Sequence, residues 1–482
     1  MESVEQNPYL LGTYAPIDDE RDVELTQVLS GAIPRDLRGA YVRNGPNPVR
    51  PPDGRYHWFD GDGMLHAVRF EDGRAFYANR YVRTKGFEAE RAAGTNRWRG
   101  LREPIVRERL PEPWKDTANT DVKFHRDRLV TSWYLSGAPY RVDPLTLETL
   151  GVDDFGGRYR GKVSAHVKVD PITDEMLFFE FGPTPPFMRY GVVGADGVLA
   201  HLTEIPLSAP RLPHDMAHTE RYAILMDLSV YPDPVSLAKG RWRSGFHPES
   251  PARFALIPRL GVAADVRWFE ASACYIYHVV NAWDEGDTVV MIAHRVNPRC
   301  FLEVPEDASE FEKMMRNLVM DAELYRYTFD LRTGTTREER LDDRNAEFPT
   351  IDARTSGRKS RYGYAMDMPR TAPVAFTGFV KYDLRDGSSV RHELPAGVFC
   401  SEAPFAPRDG SNAEDDGYLV SFVVDEREDR SELWVLDAAD VAAPPVCRLA
   451  LPRRVPRGFH ACFVDGPSMD RAAAARAAQR PR

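Results

Sequence analysis

Apolar residues recur along the chain in short runs and not at helical spacing. GAYVRN (39–44), LHAVRF (65–70), AFYANRYV (75–82), EMLFFEFG (175–182), RYAILMDLSV (221–230), TVVMIAHRV (288–296), FTGFVKYDL (376–384) and GYLVSFVVD (417–425) are rich in β-branched and aromatic residues. Each is bounded by turn residues, which is the pattern of many short strands. FEDGRAFY, DGDGML, DLRDGSS and DLRTGTT supply D-G or G-T steps that close hairpins. One phrase repeats: PYRVDPLTLETL, VKVDPITDEML, YRYTFDLRTGTT, VKYDLRDGSS and ELWVLDAADV each read as a strand ending in Asp, then a turn. Repetition of one strand-turn unit predicts an all-β propeller over a two-sheet sandwich. Helical patterning is confined to ASEFEKMMRNLVM (308–320), read as an insertion, and to the Ala/Arg-rich end of the chain. With no linker in view, residues 1–465 are expected to form a single domain and 466–482 a disordered or frayed helical tail.

Composition narrows the function classes. Of 482 residues, 43% are hydrophobic and 28% charged, an ordinary globular balance. The net charge of −10, with Arg dispersed, argues against nucleic acid as a partner. Cys274, Cys300, Cys400, Cys447 and Cys462 form an odd set with no C-x-x-C pair, which fits reduced thiols in a cytoplasmic protein. No basic n-region precedes an apolar core at the N-terminus, and no apolar run approaches the ~20 residues of a membrane span. Phosphate-binding G-x-x-x-x-G-K-[ST], dinucleotide-binding G-x-G-x-x-G and nucleophile-elbow G-x-S-x-G motifs are all missing. A nicotinamide or flavin enzyme and a kinase are therefore not expected.

The twelve histidines sort by context. His57, His125, His201, His247, His294 and His392 lie in polar or turn-like stretches and are expected to be solvated or singly hydrogen-bonded. HDMAH places His214 and His218 four apart, which on a helix would align both rings as in a zinc motif. His166, His214, His278 and His460 are widely separated, three of them in strand-like runs. On a propeller, distant strands converge at the axis, so four such histidines with no competing cysteine cluster suit a first-row transition metal.

These segments resemble the histidine motifs of the carotenoid cleavage oxygenases. GAIPRDLRGAYVRNGPNP is similar to that family's N-terminal signature, HWFDGDGMLHAVRF to its F-D-G-D-G-M hairpin, HVVNAWDEG to its H-x-x-N-A-W-E strand, and EDDGYLVSFVVD to its penultimate blade. The resemblance runs from about residue 7 to 465. It implies a seven-bladed propeller capped by loops and short helices over an axial Fe(II), one per chain, with His166, His214, His278 and His460 as ligands and His218 as a bystander. It also implies carboxylates behind three ligands: Glu347 in AEFPTID for His278 and Glu402 in CSEAPF for His460. At the third position, behind His214, this chain has Leu135. The implied reaction is oxidative cleavage of a C=C bond by O2 into two carbonyls. That reaction takes all four electrons O2 can accept, so no external reductant is needed.

The family divides between carotenoid or apocarotenoid cleavage and cleavage of phenolic stilbenes or phenylpropenes. The phenolic group uses a Tyr and a Lys on the substrate hydroxyl. Here Leu101 and Tyr134 stand at those positions, and of that subsite only the aromatic Phe59 remains. An apolar polyene is the better guest, because a buried phenolate would lack partners. An aryl-alkene substrate and a non-enzymatic carotenoid-binding propeller are the alternatives. FGPTPPFMRYGVV (181–193) and YPDPVSLAKGRW (231–242) are candidates for a tunnel mouth or for peripheral membrane contact during substrate uptake.

Overall fold

The computed structural model describes residues 7–104, 112–233, 235, 244–297, 319–370 and 374–479. The predicted helix at 308–320, apart from its last two residues, most of 231–242, and Cys300 lie outside this set.

The repeated strand-Asp-turn phrase has one local cause. Asp143, Asp170, Asp330, Asp383 and Asp437 each accept the N–H of the residue two positions on, at 2.8, 2.9, 2.8, 3.1 and 2.9 Å. These are Asx turns, in which a short carboxylate replaces a backbone acceptor and reverses the chain. Four of them join the third and fourth strands of a sheet; the turn at Asp170 joins the first and second.

The hairpins assemble into a seven-bladed β-propeller of antiparallel sheets. The strands at the axis are Asp121–His125 in blade 2, Lys168–Val169 in blade 3, Ala217–His218 in blade 4, Tyr275–Glu285 in blade 5, Ala346–Thr350 in blade 6 and Val398–Cys400 in blade 7. Blade 1 takes its axial strand, Ala461–Asp465, from the far end of the chain; it pairs antiparallel with residues 39–43 of Gly39–Pro46. Blade 7 in turn takes its outer strand, Val28–Gly31, from the beginning and pairs it with Cys447–Ala450. The two chain ends thus close the ring twice.

Alternation along the strands gives each sheet two apolar faces, and seven hydrophobic clusters fill the seven blade–blade interfaces. Aromatic residues dominate, as where Tyr41, Tyr77, Tyr418 and Phe422 join blades 1 and 7. Two insertions matter for the site. Helix Lys85–Ala93, capped by Thr84 and ended by Gly94 at φ 69°, lies between blades 1 and 2. The hairpin Val230–Pro232/Ser244–Phe246 extends blade 4.

The Ala/Arg-rich segment is helical over Gly466–Gln479 and docked where a loose tail is expected. Met469 packs with Ala40, Val42 and Leu65, while Arg38 pairs with Asp470 at 2.9 Å. Apolar side chains one turn apart supply the face that a composition of Ala and Arg conceals.

Directly after the axial strand of blade 3, Asp170 bonds Arg259 of blade 4 (2.5 Å) and Arg358 of blade 6 (3.2 Å). Burial raises the Asp170 carboxyl, but Arg259 and the turn N–H groups outweigh it and hold it at about 2. An unfolded Asp titrates near ~3.9. Between those values the folded chain binds fewer protons than the unfolded one, so Asp170 stabilises the fold above about pH 4, and this is lost as pH falls towards 2. Asp170→Asn is expected to flatten that acid limb. It should cost only about 1–2 kcal/mol at neutral pH, because Glu175 still pairs with Arg259 and Glu220 with Arg358. Urea denaturation across pH checks this, and an acid limb as steep as that of the unmutated protein would contradict it.

Candidate metal centre

Four histidines meet at one end of the axis because each lies at or near the start of an axial strand. His166 precedes the strand of blade 3, His214 that of blade 4 and His460 that of blade 1, while His278 lies within that of blade 5. Ring centroids stand 4.9 Å apart for His166–His214 and His166–His278, 4.5 Å for His166–His460, 5.0 Å for His214–His278 and 4.6 Å for His278–His460. All four are buried, and nitrogens of His166, His278 and His460 lie within 4.8 Å of one another. His166 Nε2 and His278 Nε2 are buried with no hydrogen-bond partner. A protein seldom leaves such atoms unpaired without a ligand to receive their lone pairs.

Burial is the main reason that His166, His214 and His278 have pKa values well below 6.5; neighbouring imidazoles push them further down. Neutral imidazole is the form that ligates a metal. The donor set, all nitrogen with carboxylates behind, is chemically suited to a divalent first-row ion.

His218 is not in this group. His218 lies in the strand Ala217–His218, paired with Ala223–Ile224, so the two histidines do not share a helical face. His218 Nε2 meets Ser356 Oγ at 2.9 Å and packs over Gly357, where a Cβ would strike its ring at 2.5 Å.

Two ligand-type histidines have carboxylates at their backs. Glu347 Oε2 meets His278 Nδ1 at 2.5 Å and accepts Phe348 N–H at 2.6 Å. Glu402 Oε1 meets His460 Nδ1 at 3.1 Å, and its Oε2 accepts Ala461 N–H. Such bonds fix ring orientation and tautomer. Burial pushes Glu347 up to about 7, which a nearby divalent charge would reverse. His214 is different: its Nδ1 is buried and unpartnered. Leu135 packs into the apolar cluster of Phe181, Leu212 and Met216.

Several residues at the site carry no signal in the sequence. Asp121 Oδ2 accepts His166 N–H at 2.9 Å. Asp215 Oδ2 accepts Val279 N–H at 2.8 Å and its Oδ1 pairs with Lys168 at 2.7 Å, so it ties blades 3, 4 and 5 beside two of the histidines. His166 and Phe348 adopt φ of 71° and 54°; the Asp121 bond holds the first and the Glu347 bond to Phe348 N–H the second. Phe348 stacks on His460 (4.5 Å, 16°). Gly458 lets the 43–45 and 457–460 segments touch: a Cβ there would meet Arg43 Nε and Asn44 O at 2.8 Å. The contrast is His294, expected at a solvated position but wholly buried, with both ring nitrogens unpartnered.

An aromatic wall flanks the histidines. Phe59 lies 5.4 Å from Tyr134 and 4.8 Å from Phe459, and Tyr134 lies 4.5 Å from His214. Leu101 is held near Phe59 by its N–H on Asp60 Oδ1 at 2.9 Å. Burial pushes the Tyr134 hydroxyl up to about 12, so it stays neutral. Beyond this wall a cavity of about 830 Å³ is bounded by Trp133, Leu135, Phe181 and Pro183–Phe187, which includes part of the segment expected at a tunnel mouth. Among the described residues no helix is long and apolar enough to cross a membrane.

A seven-bladed propeller with buried imidazoles on its axis defines the class: a β-propeller protein built around a candidate metal centre. Residues 14–465 match the family model described as RPE65, retinal pigment epithelial membrane protein. The carotenoid 9,10(9',10')-cleavage dioxygenase 1 of Arabidopsis thaliana is 36% identical over 493 residues, covering 95% of this chain and 89% of that protein. Among solved structures, the lignostilbene dioxygenase of Pseudomonas brassicacearum superposes with a TM-score of 0.84 at 30% identity, covering 96% of this chain and 99% of that one. A variant of the Synechocystis apocarotenoid oxygenase gives 0.82 at 28% identity, covering 94% and 98%. The chain belongs to the carotenoid cleavage oxygenase family, and its class of activity is that of an alkene-cleaving dioxygenase.

Asp215→Asn would leave Lys168 without its carboxylate. A cost of about 2–3 kcal/mol in unfolding free energy is expected. Denaturant titration measures it, and a change below about 0.5 kcal/mol, the range of ordinary surface substitutions, would show that the pair does not brace the three blades.

Proposed function

We propose that this chain is a non-haem Fe(II)-dependent dioxygenase that cleaves one C=C bond of a carotenoid or apocarotenoid with O2, giving two carbonyl products. The observation that carries this reading is the axial group of buried imidazoles, with His166, His214 and His278 held neutral, beside an apolar aromatic wall. His166, His214, His278 and His460 would hold the ion. When bound, ferrous iron supplies the redox chemistry by which ground-state O2 can react with an alkene.

The chain's own residues have three tasks. Glu347 and Glu402 accept the Nδ1 protons of His278 and His460, and so keep the inward nitrogens aimed at one point. Phe59, Tyr134, Phe348 and Phe459 present rings to a flat conjugated chain and exclude water from it. The apolar walls hold one double bond in place, which converts an encounter into an intramolecular approach. Breaking one C=C and forming two C=O bonds uses both atoms of O2 and all four electrons that O2 can accept, so no reductant site is required.

The Arabidopsis relative, named for carotenoid cleavage, supports the polyene as substrate. A second reading, an aryl-alkene, is favoured by the likeness to the lignostilbene dioxygenase. Leu101 and neutral Tyr134 weigh against it, because neither offers a cation to a phenolate.

Anaerobic reconstitution with Fe(II), followed by oxygen uptake and product masses across carotenoids, apocarotenals and stilbenes, tests the proposal. Uptake with polyenes and paired carbonyl products is expected at near one iron per chain. His278→Ala should reduce bound iron by more than about tenfold and abolish uptake, while His218→Ala should leave both within about twofold. A response to stilbenes alone would overturn the substrate assignment.

A further inference from the structure

His214 lacks the carboxylate that backs His278 and His460. Its Nδ1 is buried and unpartnered, and Leu135 stands where the resemblance expects a carboxylate. A ring with a free Nδ1 can rotate about χ2 or exchange tautomers unless something else restrains it, and either motion would turn its inward nitrogen away. The surroundings supply a restraint of another kind. Tyr134 lies against one face of the ring at 4.5 Å and 38°, and Tyr277 meets it edge-on at 4.9 Å and 83°. Both tyrosines are themselves held by packing. Tyr277 meets the ring of Tyr275 edge-on at 4.9 Å, and the Tyr275 hydroxyl donates to Leu212 O at 2.8 Å, while Tyr134 packs against Phe59 at 5.4 Å and Phe181 at 6.1 Å. Leu212 is two residues before His214, so the loop of contacts returns to the backbone that carries the ring. Immediately after His214, Asp215 fixes Met216 and Val279 through their N–H groups.

We propose that Tyr134 and Tyr277 are positioning residues for His214: a three-tyrosine cup anchored on Leu212 replaces the carboxylate and holds the imidazole by ring packing. The cup works through shape, so the rings matter and the hydroxyls of Tyr134 and Tyr277 matter less. This inference rests on His214 being a metal ligand, as proposed above.

Metal binding without turnover tests it. Co(II) is titrated into metal-free protein anaerobically, following the d–d absorption of the bound ion, with the thermal unfolding of each metal-free variant as a check on folding. The unmutated chain is expected to bind near one Co(II). Tyr134→Leu and Tyr277→Leu should each weaken binding by about tenfold or more and alter the absorption band, the range seen when an outer partner of a ligand is lost. Tyr134→Phe and Tyr277→Phe should stay within about twofold, with the band unchanged. Leu variants that bind as tightly as the parent with an unaltered band would overturn the cup while leaving the metal centre in place. So would Phe variants as weak as the Leu variants, since hydroxyls and not rings would then be responsible. A parent protein that binds no Co(II) would instead overturn the ligand assignment itself. If a Leu variant fails to fold, the matching pair of Phe variant and parent still decides between ring and hydroxyl.

Discussion

Everything at the axis depends on closing the ring. A propeller sheet is stable only when its inner edge strands are covered by neighbours, and here the last blade–blade seam is made by strands from opposite ends of the chain. The strand Ala461–Asp465 pairs with the backbone of Gly39–Arg43, and the residue directly before it is His460. The ring that completes the fold thus also brings His460 to 4.5 Å from His166 and 4.6 Å from His278. The tight backbone passage at Gly45 and Gly458 and the buried guanidinium of Arg43, bonded to Ser401 and Pro456 O, belong to the same seam. Stability and the geometry of the site are therefore one requirement at this point of the molecule.

Once closed, the axis places His166, His214 and His278 in a space too dry to charge them. Desolvation and neighbouring imidazoles hold these three rings unprotonated, and carboxylates fix the outer nitrogens of His278 and His460. A second layer of Asp121 and Asp215 works on backbone N–H groups instead, spacing one axial strand from the next. The positive φ at His166 shows what Asp121 sustains, and that at Phe348 what Glu347 sustains, because a non-glycine residue holds such a backbone only where its surroundings overdetermine it. His214 differs from His278 and His460, with the rings of Tyr134 and Tyr277 where those two have a carboxylate. Tyr134 also belongs to the aromatic wall with Phe59.

Much of the fold was legible because its cause is local. The Asp of each repeated phrase marks an Asx turn that forms with residues two and three positions away, and strand alternation follows from neighbouring side chains pointing to opposite faces. The Ala/Arg-rich end is a helix, one of the two forms its composition allows; its docking through Met469 and Ala472 is not visible there, because two apolar positions among many alanines mark no face. Tyr275, Tyr277, Phe348 and Phe459 look in the sequence like any core aromatic of a strand. Asp121 and Asp215 look like any surface charge. His294 reads as polar beside Arg295, yet its strand position turns it wholly inward.

By itself the sequence determined the strand-turn repeat, the all-β class and, through its resemblance to a family, which histidines and glutamates to consider together. These are properties of local chemistry or of ordered motifs, and both survive in one dimension. Only the tertiary structure decided that His214 stands among tyrosine rings, that His218 serves a distant loop of blade 6, and that Asp121 and Asp215 brace the axial strands. Those relations join residues tens to hundreds of positions apart. Their distances are set by blade-to-blade packing and ring closure, which no window along the chain contains.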